Sequence, residues 1–120
     1  MLKALKLLLE CENVLEIRIL EWKQTECVFY AKIEVHFNEY ILHIREYENT
    51  CTSDRKYSYH LQNAEGNLII RFDNAPHYKN VETLPHHIHM GEEIQPSSEI
   101  TPEDIIEKIL KIIESGGLKT

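Results

Sequence analysis

Between Tyr57 and Met90 the chain gathers side chains that can move protons and hold an anion: His60, Arg71, Asp73, His77, His86, His87 and His89. A histidine ring changes charge near neutrality, at about 6.5 when unperturbed, so one ring can accept a proton while another donates one. Arginine adds a planar fork that fits a phosphate. Together these groups suit metal-independent cleavage of an RNA phosphodiester. A base takes the 2′-hydroxyl proton, an acid protonates the leaving 5′-oxygen and a cation holds the charge on phosphorus. On this reading His60, projected beside Arg71, and one histidine of the cluster from His86 to His89 form the acid/base pair. The alternative is a divalent metal. His87 and His89 point the same way on an extended segment, His86 and His89 converge in a turn, and His77 or Asp73 adds a ligand. That spacing matches no zinc signature and no cysteine lies nearby, so the leading reading calls for no cofactor.

Each of these residues also has a plainer role. Asp73 before Asn74 can cap a strand end, and His77 after Pro76 can bond backbone in a turn. Arg71 can pair with Asp73 or Glu65 on a solvated strand, and His36 and His43 read as surface residues. The His86-His87 pair after Pro85 is harder to explain this way, because such a cluster is expensive to bury and does nothing for a fold.

The elements that must position these groups follow from periodicity. Leu2, Leu5, Leu8 and Leu9 fall at helical spacing. From Val14 the period becomes two: Leu15, Ile17 and Ile19 alternate with Glu16, Arg18 and Leu20, then Phe29, Ala31, Ile33, Val35 and Phe37 with polar neighbours. A two-residue Asn38-Glu39 turn would set Val35 opposite Leu42, Ile33 opposite Ile44 and Ala31 opposite Glu46. An inward carboxylate at Glu46 needs a partner or a wet cleft, which adds Glu46 to the candidate site residues from outside the window; the plainer reading, which the local sequence favours, is that the sheet has frayed there and leaves it solvated. With Asn63 to Gly66 as a loop, Leu61 faces Leu68, Tyr59 faces Ile70 and Tyr57 faces Phe72. The other face then carries His60 diagonal to Arg71, with Ser58 across from Arg71. Asn74-Ala75-Pro76 ends that strand, a loop runs to Gly91, and Glu92 to Glu99 reads as polar linker. Thr101-Pro102-Glu103-Asp104 opens a helix whose stripe is Ile105, Ile106, Ile109, Leu110, Ile112 and Ile113, closed by Gly116-Gly117. The sum is an α+β fold: a single twisted antiparallel sheet of about five strands, with a short N-terminal helix and a C-terminal amphipathic helix packed on one face.

Composition bounds the function classes. With 120 residues, 42% hydrophobic, the chain reads as one domain over residues 1–120. A formal charge of −7 argues against a surface that coats nucleic acid generally. Yet Asp54 to Met90 is electrically balanced and holds five of the seven histidines, so it is the stretch able to accept a phosphate. No apolar run is long enough to span a membrane, and the leucines after Lys3 fail as a signal peptide because Glu10 and Glu12 follow at once. Cys11, Cys27 and Cys51 are odd in number and widely spaced, which signals no disulfide framework and fits a reducing cytoplasm.

The run YSYHLQNAEGNLIIRFDNAPHY, followed by ETLPHHIHMG, resembles the core of the TumE family of prokaryotic toxin–antitoxin toxins. That family's pattern resembles Y-S-Y-H-W-Q, R-W-D-N-A-P-H-H and P-H-H-x-H. The similarity covers Tyr57 to Gly91 and extends more loosely to Glu46 and to the helix after Thr101. Leu61 and Phe72 stand where tryptophan is usual and keep the core face apolar; Tyr78 stands where a second histidine is common and leaves only His77 after the proline. The resemblance implies a growth-inhibiting toxin neutralised by a protein antitoxin, TumA, that carries a DNA-binding domain. It hands over no mechanism. Action on RNA or translation rests on the residues above, a non-catalytic docking domain is the competing class, and a homodimer is left open.

Overall fold

Alternation of period two governs the chain from Val14 to Asp73. A computed structural model, which describes residues 1–74, 87–90, 93–96 and 100–116, turns it into five successive antiparallel strands. These are β1 (Val14–Gln24), β2 (Val28–Phe37), β3 (Tyr40–Asn49), β4 (Asp54–Asn63) and β5 (Leu68–Asp73). Two short strands, β6 (His87–Met90) and β7 (Glu93–Pro96), continue the same sheet. Among the described residues the sheet is a seven-stranded antiparallel meander, each strand beside its sequence neighbour. The sequence predicts a loop and a linker where β6 and β7 stand, because a four-residue strand is too short to display a period.

Two helices, α1 (Leu2–Leu9) and α2 (Pro102–Glu114), pack into one core with one face of this sheet. The core joins Ala31, Ile33 and Val35 of β2, Leu42 and Ile44 of β3, Tyr59 and Leu61 of β4, and Ile70 and Phe72 of β5 to Ile105, Ile106 and Ile109. In α1 the buried pair is Ala4 and Leu8, one turn apart, while Leu2 and Leu9 are exposed, so the inward stripe is rotated from the one the leucines predict. Thr101 caps α2 as predicted, its Oγ1 accepting from Asp104 N at 3.2 Å. Gly116, at φ +80, supplies the left-handed residue that ends it. Thr101→Ala should cost about 1 kcal/mol, read as a lower denaturation midpoint at unchanged slope.

The β2–β3 register is the predicted one, with Ala31 opposite Glu46. The β4–β5 register differs by two residues. Tyr59 faces Phe72 and Leu61 faces Ile70, and a bulge then sets Gln62 against Leu68. Asn63 widens the turn: its Oδ1 accepts from Glu65 N at 3.0 Å and Asn67 N at 2.9 Å, and Gly66 takes φ +88. Ile69 rather than Leu68 therefore packs against the core. His60 lies directly opposite Arg71, and Ser58 faces Asp73 instead of Arg71.

β1 departs most from the half-buried strand its alternation predicts. It is the sheet edge, with irregularities at Leu15 and Leu20, and Leu15 and Ile19 are more than half exposed. At one end of the sheet Cys27 and Cys51 form a disulfide, 5.4 Å between Cα atoms, which corrects the expectation of no bridge. The reason is register: Val28 pairs with Asn49, and Thr50 N donates to Cys27 O at 2.8 Å, so two turns distant in sequence meet. No helix among the described residues is long and apolar enough to cross a membrane.

Candidate functional site

Among the described residues the helices leave the other sheet face open, and successive registers line up polar side chains across it. One row runs Arg18–Glu34–His43–His60–Arg71–His89 from β1 to β6. A second runs Lys32–Arg45–Ser58–Asp73, and a third Tyr30–Tyr47–Lys56. Strands lie about 4.8 Å apart, so neighbours in a row are within side-chain contact. Two adjoining grooves, of about 370 and 620 Å³, follow these rows. Lys32, His43, Arg45, His60 and Arg71 line the first; Tyr30, Arg45, Tyr47, Lys56, Arg71 and Asp73 line the second.

A carboxylate anchors each end of the row. At one end Glu34 meets His36 Nε2 at 2.5 Å, His43 Nδ1 at 3.8 Å and Arg18 Nη1 at 4.0 Å. The His36 hydrogen bond, aided by the charges of His36, His43 and Arg18, holds the Glu34 carboxyl below the usual carboxylate range against partial burial. At the other end Asp73, 2% exposed, places Oδ2 2.9 Å from Arg71 Nε and 3.2 Å from His89 Nε2. Buried carboxylates need such charged neighbours, and Asp73 stands within ion-pair distance of both. His60 sits between the two ends, its ring 6.0 Å from that of His43. Burial first, then the Arg71 cation and His43, lower the His60 pKa. A lowered value means a neutral ring, able to accept a proton, at pH 7. An NMR titration should place the His60 midpoint below about 6.5, and Arg71→Gln should move it upward.

With the geometry in place, comparison with known proteins decides the family. A family model described as Toxin TumE matches residues 4–116, nearly the whole chain. The chain belongs to the TumE toxin family. Membership makes it the toxin of a toxin–antitoxin module and implies an antitoxin partner. No curated protein and no solved structure matches it.

In this TumE chain four of the predicted site residues come together: His60, Arg71, Asp73 and His89. His87 is opposite Asp73 in the β5–β6 register. His77 and His86 lie outside the described residues. Of the alternative metal set Asp73, His87 and His89 fall among the described residues, and among the described residues no group of three or more His, Cys, Asp or Glu side chains is placed to hold a metal ion.

Glu46 is separated from the others by the sheet itself. It projects into the core, 3% exposed, where Arg55 Nε reaches Oε1 at 2.5 Å and Tyr59 donates to Oε2 at 2.6 Å. Arg55 Nη1 also donates to Ile100 O at 2.7 Å, which ties β4 to the start of α2. Burial, then the adjacent Glu46 charge, push the Tyr59 hydroxyl well above its usual value, so it remains a donor. The frayed strand and solvated Glu46 that the local sequence favours are corrected: β3 stays paired to Asn49, and the inward carboxylate is buried with partners.

Asn74 has the strand-end role considered for its neighbour. Its Oδ1 accepts from Tyr57 N at 2.9 Å and its Nδ2 donates to Arg55 O at 2.7 Å, so the side chain continues the β4–β5 ladder. Sequence reasoning placed Lys56 on this face with His60 but missed Lys32, His43, Arg45 and Tyr47 as members of it. The signal was present, since the β2–β3 register already grouped Lys32, His43 and Arg45 on the polar side; the β3–β4 pairing that joins them to His60 was the missing link.

Proposed function

We propose that this toxin cleaves RNA without a metal, at the row His60–Arg71–His89, and that its action is cytoplasmic. The observation that carries the reading is this row, in which an arginine held by a buried aspartate stands between two histidines. Displacement at phosphorus needs base and acid on opposite sides of the phosphate, and two strand spacings, about 10 Å, separate the β4 and β6 positions. Arg71 holds the scissile phosphate. Neutral His60 accepts the 2′-hydroxyl proton as O2′ bonds to phosphorus. The P–O5′ bond breaks, and protonated His89, oriented by Asp73, gives its proton to the 5′-oxygen, leaving a 2′,3′-cyclic phosphate and a 5′-hydroxyl.

The rest of the open face supports an RNA substrate. In a chain of net charge −7, Lys32, Arg45, Lys56 and Arg71 meet on one surface, with Tyr30 and Tyr47 beside them. Cations follow a phosphate backbone and aromatic rings accept bases, a combination that binds single strands. The antitoxin, which the resemblance endows with a DNA-binding domain, then silences the toxin by binding it. The test is to incubate purified chain with single-stranded RNA in the presence of a chelator and analyse the ends. Cyclic phosphate ends, lost when the nucleotide 5′ to the cut carries 2′-deoxyribose, are expected. Intact RNA that stays bound to the open face would replace cleavage with a docking role.

A further inference from the structure

Among the described residues nothing pairs with the outer edge of β1, and Leu15, Ile19, Leu20 and Trp22 are 67, 54, 50 and 39% exposed along it. A long edge strand with apolar side chains is a template for another strand. Its sequence specifies which strand fits.

We propose that β1 pairs antiparallel with β1 of a second copy of this chain, about a two-fold axis, with Ile19 opposite the partner's Leu20. In this register the three pairs that flank the centre are complementary. Arg18 meets the partner's Glu21, Glu16 meets the partner's Lys23, and Ile17 meets the partner's Trp22. By symmetry each pair occurs twice. The next register, with Ile19 opposite itself, sets Ile17 against the partner's Glu21 and Arg18 against the partner's Leu20, and loses both the charge and the apolar matches.

The bulge selects between these registers. In an unbroken strand, residues three or five apart lie on opposite faces, so these pairs could not face each other in one continuous sheet. Here the extra residue at Leu20 changes the parity. Ile17 and Trp22 align with the core-face residues Val35 and Ala31, while Arg18 and Glu21 align with Glu34 and Lys32 on the open face. The irregularity that disturbs pairing with β2 is what lets β1 match itself. Leu20 also lines the groove that holds His60, so pairing brings the two open faces side by side. The proposal is independent of the reaction assigned to that groove.

Light scattering on the purified full chain across a concentration series tests it. The expected mass is twice 14.2 kDa, falling on dilution. Emission of Trp22, the one tryptophan, should shift to shorter wavelength as the dimer forms. Arg18→Glu and Glu21→Arg should each shift the protein to the monomer mass, because like charges then oppose each other twice. The double variant Arg18→Glu/Glu21→Arg should recover the dimer. Circular dichroism confirms that each variant is folded. A wild-type mass of 14.2 kDa throughout the series overturns the proposal. So does a dimer indifferent to the single reversals, or a folded double variant that stays monomeric.

Discussion

His60→Ala should lower the single-turnover rate of RNA cleavage by about 10²–10⁴-fold, the range that a positioned general base contributes. His60 sits half-buried on the open face, so its truncation leaves the core intact and should move the denaturation midpoint little. The residual rate should also lose the low-pH limb that His60 imposes on wild type. With its pKa lowered by burial and by Arg71, that limb lies below about 6.5, and activity falls as the pH drops through it because the protonated ring cannot accept the 2′-hydroxyl proton. Arg71→Lys separates charge from geometry: it keeps a cation but loses the planar fork, so its rate should fall well below wild type while RNA binding persists. In cells, growth arrest by wild type and normal growth with soluble His60→Ala protein is the matching outcome. Equal toxicity of the two would refute the proposed base.

The largest effect on stability is expected at Glu46. Its truncation to alanine leaves the Arg55 guanidinium, 14% exposed, without its carboxylate, and removes the acceptor of the Tyr59 hydroxyl. Breaking a buried pair in this way costs about 3–5 kcal/mol. A domain is stable by only about 5–15 kcal/mol, so the variant should unfold at much lower denaturant or accumulate poorly. Tyr59→Phe, which removes one hydrogen bond to the same carboxylate, should cost about 1.5–3 kcal/mol. Replacing both members of the pair, as Glu46→Leu with Arg55→Met, should restore much of the loss because no buried charge is then orphaned. A Glu46→Ala protein as stable as wild type, by chemical denaturation, would mean that the pair contributes nothing to folding.

These two residues show where sequence reasoning reaches and where it stops. The face of Glu46 was legible because the Asn38-Glu39 turn fixes the β2–β3 register, and a register fixes every side chain's face. Its partner was not, since Arg55 lies on β4 and nothing local in the sequence pairs β4 with β3. His60 and Arg71 were assigned to one face correctly but placed diagonally. The Asn63 turn and the bulge beyond Leu61 slide β5 by two residues, an even number that keeps faces while changing neighbours. His43 read as an ordinary surface residue because, on its own hairpin, it is one; only the third strand gives it a neighbour such as His60. Leu15 and Ile19 have the alternation of a buried face, but burial depends on cover, and an edge strand lacks it.

One strand carries both outcomes at single-residue spacing. Along β4, Tyr57, Tyr59 and Leu61 are buried, while Lys56, Ser58, His60 and Gln62 look onto the open face. A population of cells forced to survive this toxin would therefore escape by two routes that interleave along the same stretch. Changes at the odd positions should deplete the protein, and those at the even positions should leave an abundant but inert chain. Read by abundance and by growth together, such survivors would print the pleat of β4 as an alternating signal.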